Sequence, residues 1–225
     1  GHDVPKGAHH WSMMGDSEFR EGSLLEAMPE AAERELSNVT WIIDYNRQSL
    51  DGPRIPGERG LRGTDAGRMQ KTAEANGWDC IQVRHGRKRL AAFAQPGGDK
   101  LREVLEGGFG DYEFQSLLFK RDGAAVRHRL VSKEKQLESA LSGLDDAALF
   151  ALFSDLGGHD IAVLADAFER ARTTPEPTLV IAHTIKGWGL ESYAAPGNHS
   201  ALADRNEVVE LLKSEGIDPA SPYQR

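Results

Sequence analysis

Asp16 and Asn46 stand 30 positions apart, each just past a short apolar run, Trp11–Met14 followed by Gly15 in one case and Val39–Tyr45 in the other. If both runs are strands of one right-handed βαβ unit, about 30 residues is the length at which the strands become parallel neighbours with their C-terminal ends side by side. A carboxylate and an amide oxygen would then emerge at the sheet edge where open α/β folds bind ligands. With a loop carbonyl they make a set of hard oxygen donors. That set is too small to cage Ca²⁺ but suits Mg²⁺, which keeps phosphate oxygens and water as its remaining ligands. Gly15 permits close backbone approach, and a following helix would turn N–H groups towards an anion. The chemistry implied is a Mg²⁺–diphosphate site. The same residues are also those of a helix-capping aspartate and a turn asparagine, and spacing alone leaves both readings open.

The elements that must position this pair follow an α/β rhythm. Val39–Tyr45 and Leu179–Thr184 are short runs rich in β-branched residues, as in buried parallel strands, and Asp79–Val83 is a weaker third. Helical spacing recurs over Leu24–Leu36, with Pro29 in its first turn or kinking it, and over Asp65–Asn76, stopped by Gly77. It recurs again over Lys100–Glu106, Asp145–Leu156, Ile161–Arg172 and Arg205–Ser214. The charged, weakly periodic stretch Phe109–Lys135 reads as an exposed excursion. Strands alternating with helices predict an α/β fold, a parallel sheet with helices on both faces.

Composition narrows the class. The chain has 225 residues, a formal charge of −8 and 39% hydrophobic residues, a length for one large domain or two small ones and enough to bury a proper core. One cysteine, Cys80, excludes an internal disulfide framework and a Cys-rich zinc site, and fits a reducing, cytoplasmic setting. No run approaches a membrane span, and the acidic balance argues against a nucleic-acid binder. The basic cluster Arg84, His85, Arg87, Lys88 and Arg89 reads as a solvated face. Cys80 reads as a small buried hydrophobe, His9 and His10 as surface residues, and His159 as a helix-start residue beside a capping Asp160. Either side of the strand is open to His183.

Gly15-Asp16-Ser17-Glu18, followed after about 30 residues by Asn46 and then Ser49-Leu50-Asp51-Gly52, resembles the thiamine-diphosphate motif of the transketolase superfamily. Asp44–Gly52 and the Glu21-Gly22 to Glu26-Ala27 segment are transketolase-like. Gly77–Val83, Gly110–Glu113, Asp122–Arg127, Gly157–Asp160 and Ala182–Gly189 resemble the homodimeric type of pyruvate dehydrogenase E1 component, in an order that covers nearly the whole chain. The resemblance implies that Asp16 and Asn46 ligate Mg²⁺ by side chain and Gln48 by its main-chain oxygen. It implies that Gly15, Ser17 and Glu18 line the diphosphate through backbone groups. Leu50 would sit under the thiazolium, and Lys186 would stand at the active-site rim, facing the diphosphate or a substrate carboxylate. His199 falls where the E1 family has a mobile loop with a catalytic histidine, after a shift of two residues.

The resemblance further implies a single diphosphate-binding domain over residues 1–225, incomplete at its N-terminal side. The pyrimidine-binding domain and its glutamate would come from another chain, in a hetero-oligomer inactive when divided. The implied activity is decarboxylation of a pyruvate-like 2-oxo acid with acyl transfer. The alternatives are the N-terminal subunit of a split transketolase, acting on a ketose, and a non-catalytic assembly subunit. Two departures bear on these. Ser17 replaces the third motif glycine, tolerable only if its φ is negative, and Asp44 stands where the E1 family usually has Asn.

Overall fold

The computed structural model describes residues 7–49, 52–53 and 65–223; the expectation for Leu50 lies outside them. In chain order the strands are β1 (His10–Gly15), β2 (Val39–Tyr45), β3 (Gln48–Ser49), β4 (Gly52–Pro53), β5 (Asp79–Val83) and β6 (Thr178–His183). The helices are α1 (Gly22–Glu33), α2 (Asp65–Ala75), α3 (Arg87–Phe93), α4 (Gly98–Gly107), α5 (Asp111–Lys120), α6 (Gly123–Lys133), α7 (Leu137–Ala140), α8 (Asp146–Phe153), α9 (Ile161–Ala171) and α10 (Arg205–Ser214). Four strands form one parallel sheet in the order β1-β2-β6-β5, while β3 and β4 make a small antiparallel ladder beyond the end of β2.

The alternation of side chains along each strand sorts two cores. Trp41, Ile43, Leu179 and Ile181 face Met28 and Ala31 of α1 and Met69 and Ala73 of α2. Ile42, Val180, Ile81 and Val83 face Ala167, Ala171, Val163, Leu164 and Phe168 of α9. Every residue of β6 is buried, as its position between β2 and β5 requires. The expected α/β architecture, a parallel sheet with helices on both faces, is therefore present. Pro29 lies inside α1, not in its first turn. Its missing N–H would have bonded the Leu25 carbonyl, on a residue left 43% exposed where water can serve instead.

Two expectations are corrected. Phe109–Lys135 is no exposed excursion: it forms α5 and α6, and Phe114, Leu117, Leu118, Val126 and Leu130 enter a third core with α4, α7 and α8. The apolar spacing there is helical, at i, i+3, i+4 and at i, i+4. The charges that obscured it lie outside, where Glu113 of α5 pairs with Arg129 and Lys133 of α6. Helix α6 can pack on α8 this closely only because Gly123 has no side chain, since a Cβ there would stand 1.9 Å from the Asp146 carbonyl oxygen.

The basic cluster is likewise not a solvated face. Arg89 is 1% exposed and His85 is buried, while Arg87 and Lys88 remain outside. Arg89 donates to the carbonyls of Leu152 (3.2 Å) and Phe153, and its own N–H donates to Asp155 (3.1 Å), so one guanidinium ties α3 to the end of α8. Burial pushes this guanidinium down to about 9 and the His85 imidazole down to about 4.

Candidate functional site at the C-terminal edge of the sheet

The β1–β2 register pairs Gly15 with Asp44, so Asp16 and the Asn46 turn leave neighbouring strands at the same edge. Asp16 is 1% exposed, and its Oδ2 accepts the N–H of Arg47 at 2.8 Å. Asn46 Oδ1 accepts the N–H of Gln48 at 2.9 Å. The Asp16 carboxylate thus lies directly against the turn that carries Asn46 and Gln48. Asn46 does act as a turn residue, but a carbonyl oxygen has two lone pairs, and one bond to Gln48 leaves acceptor capacity on it. Ser17 begins a single 3-10 turn, Glu18–Arg20, with φ −73° and no side-chain capping bond. The positive-φ penalty attached to the missing glycine therefore does not arise. Helix α1 starts only at Gly22, and the Gly15 N–H donates to Glu18 Oε2 at 2.5 Å, so that donor reaches an anion only when the Glu18 side chain swings aside.

The turn is held in an unusual conformation. Arg47 has φ +64°, in the left-handed region that costs a side-chain-bearing residue of order 1–3 kcal/mol. Its guanidinium lies between the rings of Tyr45 (5.2 Å) and Phe114 (4.8 Å), 3.0 Å from His183 Nδ1 and 3.5 Å from Asp111. His183 is fully buried; its Nε2 lies 3.2 Å from Gln82 Oε1, and burial drives its pKa well down, with Arg47 adding to the effect. Facing Arg47 it is a neutral acceptor. From α5, Gln115 donates to the main-chain oxygens of Asn46 (3.2 Å) and Arg47 (3.1 Å) and accepts from the Gln48 side chain (2.8 Å).

Burial raises the Asp111 carboxyl to about 6, although Arg47 pulls the other way. A carboxyl raised in the folded state binds protons more tightly there than in the unfolded chain, so its contribution to stability is present at acid pH and lost as pH climbs through 6. Relative to Asp111→Asn, wild-type stability is therefore expected to fall by roughly 2–3 kcal/mol between pH 4 and pH 7. Urea unfolding of both proteins across that range checks it; a constant difference refutes the raised carboxyl.

Lys186 follows β6 and is lashed to the same edge. Thr184 donates its N–H to the Tyr45 carbonyl at 3.1 Å and its hydroxyl to Asp44, and the Ile185 N–H donates to His159 Nε2 at 2.7 Å. His159 stacks on Trp188, with ring centroids 4.1 Å apart, and Asp160 caps α9. Lys186 Nζ lies 2.7 Å from His199 Nδ1, so the structure brings these two candidates together. Their link to the Asp16 group runs through Thr184. Sequence reasoning missed Arg47, Asp111, Phe114 and Gln115. Three of them sit on α5, in the stretch read as an excursion, where the Phe114, Leu117, Leu118 spacing was the available signal.

Among the described residues no three His, Cys, Asp or Glu side chains converge as a metal cage. The donor set here is a different kind: one carboxylate, one amide oxygen and a main-chain oxygen, which suits a cation that keeps phosphate and water ligands. No helix among the described residues is long and apolar enough to cross a membrane.

The four-stranded parallel sheet with helices on both faces is similar to transketolase domains. The chain superposes on transketolase from Pichia stipitis with a TM-score of 0.51 and 16% identity over 96% of its length and 21% of that chain. For transketolase from Campylobacter jejuni the TM-score is 0.50, with 18% identity over 94% of this chain and 21% of that one. In sequence it is 31% identical over 210 residues to the pyruvate dehydrogenase E1 component of Escherichia coli K12, covering 92% of this chain and 22% of that protein. It is 30% identical over 187 residues to the Corynebacterium glutamicum E1 component, covering 81% and 19%. No family model matches the chain. The chain is thus similar in sequence to part of the pyruvate dehydrogenase E1 components and in fold to transketolase domains. It spans about a fifth of the length of the curated relatives it matches.

Proposed function

We propose that this chain is the diphosphate-binding domain of a thiamine-diphosphate- and Mg²⁺-dependent enzyme of the pyruvate dehydrogenase E1 type. The observation that carries the reading is the 2.8 Å bond from the Arg47 N–H to the buried Asp16 carboxylate, which sets a second potential ligand turn beside the first. Asp16, Asn46 and the Gln48 main-chain oxygen would hold the cation, and backbone groups of Gly15, Ser17 and Glu18 would line the diphosphate. When bound, thiamine diphosphate supplies the electron sink for cleavage next to a carbonyl. The chain's own residues bind, orient and neutralise. Lys186 places a cation at the rim, where it offsets a diphosphate or substrate carboxylate charge. With its Nδ1 accepting from Lys186, His199 keeps Nε2–H as its ring donor.

The substrate is a pyruvate-like 2-oxo acid, supported by relatives at 30–31% identity that are E1 components. The transketolase likeness, at 16–18% identity, supports the fold and says nothing about a ketose substrate. The site would be completed by a pyrimidine-binding domain that supplies a glutamate to the cofactor.

The assembled complex, given Mg²⁺ and thiamine diphosphate, is expected to reduce an artificial electron acceptor with pyruvate and to leave a pentulose phosphate with an aldose acceptor untouched. Ketol transfer in place of pyruvate oxidation would move the assignment to a split transketolase. Calorimetry showing no Mg²⁺-dependent cofactor binding would leave only an assembly subunit.

A further inference from the structure

We propose that Gln115 is the positioning residue of the cation-binding turn, a clamp from α5 that fixes where Asn46 and Gln48 present their oxygens. The inference rests on the reading of Asp16, Asn46 and Gln48 as cation ligands. Gln115 is 8% exposed, and it spends its polar groups on three consecutive residues: Nε2 donates to the Asn46 oxygen at 3.2 Å and the Arg47 oxygen at 3.1 Å, and Oε1 accepts from Gln48 Nε2 at 2.8 Å. Reversing the amide would set its oxygen against two carbonyl oxygens, so the orientation is determined. The middle residue of the three, Arg47, is the one in the left-handed region. A strained backbone persists only where its surroundings over-determine it. Here the surroundings are Gln115 on the main chain, the Asp16 carboxylate on the Arg47 N–H, and the Tyr45 and Phe114 rings around the guanidinium.

Partners that hold ligands from behind set the geometry a metal meets, and their loss typically costs 10–100-fold in affinity. Gln115 has the properties of such a partner. It touches two of the three proposed ligand residues, is shielded from solvent, and is anchored by a helix whose Phe114, Leu117 and Leu118 lie in the core. The bond it makes to Gln48 also ties the start of β3 to α5, so the clamp spans the reversal between the two ligand positions.

The test uses two readouts. In the 225-residue chain, hydrogen exchange at the Arg47 and Gln48 amides is expected to rise at least tenfold in Gln115→Leu, which keeps the volume and removes all three bonds. In the assembled enzyme, with the pyrimidine-binding domain present, Mg²⁺-supported thiamine diphosphate affinity is expected to fall about 10–100-fold in the same variant. Gln115→Glu retains the acceptor and loses both donations, and serves if the leucine variant does not fold. Leu118→Ala, three residues along α5 and 2% exposed, is expected to lower the melting temperature without either effect. Unchanged exchange at Arg47 and Gln48 in Gln115→Leu, or an equal rise in Leu118→Ala, overturns the clamp. A wild-type complex that binds no cofactor overturns the cation reading instead, and the exchange result then decides the clamp by itself.

Discussion

Replacing Asp16 with alanine is expected to remove Mg²⁺-supported thiamine diphosphate binding from the assembled complex while the fold survives. The carboxylate is the only formally charged group in the proposed ligand set of Asp16, Asn46 and Gln48, and it is 1% exposed. A buried anionic oxygen next to a divalent cation contributes more than a neutral carbonyl can, and its removal is expected to exceed the ~10–100-fold cost of losing a mere supporting partner. Structurally the loss is smaller: the carboxylate accepts the Arg47 N–H and the Ser17 hydroxyl, and a buried donor left unpaired costs ~1–3 kcal/mol. Asp16→Asn keeps an acceptor and the volume but not the charge, and is expected to hold stability while still binding cofactor poorly. Calorimetry for binding and circular dichroism for folding separate the two effects. Normal cofactor binding by Asp16→Ala would defeat the ligand assignment.

The second large effect is on stability. Arg89→Ala is expected to cost ~3–5 kcal/mol, in the range found when a large buried side chain is truncated to alanine. The substitution opens a cavity between α3 and α8, strands the Phe153 carbonyl and the His85 Nδ1, and takes one of the donors from the Leu152 carbonyl, which keeps the Asp155 N–H. Arg89→Lys is expected to recover only part of this, because an ammonium lacks the planar fork that reaches several acceptors at once. Since the same helical lobe packs Ile185, Tyr193 and Ala194, the segment carrying Lys186 should also loosen. Denaturant unfolding measures the first effect and hydrogen exchange over 184–199 the second. A loss below about 1 kcal/mol would mean that the buried guanidinium is dispensable.

The strands were legible because their signal is local. Val39–Tyr45 and Asp79–Val83 are read within their own residues, and in the structure they keep those bounds. Helix α10 is equally local, with Asp204 capping it and the expected range Arg205–Ser214 retained. Where charges cover the outer face of a helix, as on α5 and α6, average polarity hides a narrow apolar stripe and composition misleads. Arg89 failed for the opposite reason. Within its own segment it is one of several cations, and only distant carbonyls at Leu152 and Phe153 make burial tolerable.

The sequence by itself determined that Asp16 and Asn46 each follow a strand directly, which makes them candidates for a hydrated cation, since that depends on oxygen type and strand-ending position. It also determined the α/β class, because hydrophobic periodicity is a property of neighbours along the chain. Only the tertiary structure decided that Gln115, Arg47 and Asp111 belong to the site, and that Lys186 meets His199. Those relations join residues 13 to 69 positions apart through side-chain geometry, and chain spacing carries no record of which polar atoms a folded core will leave facing one another.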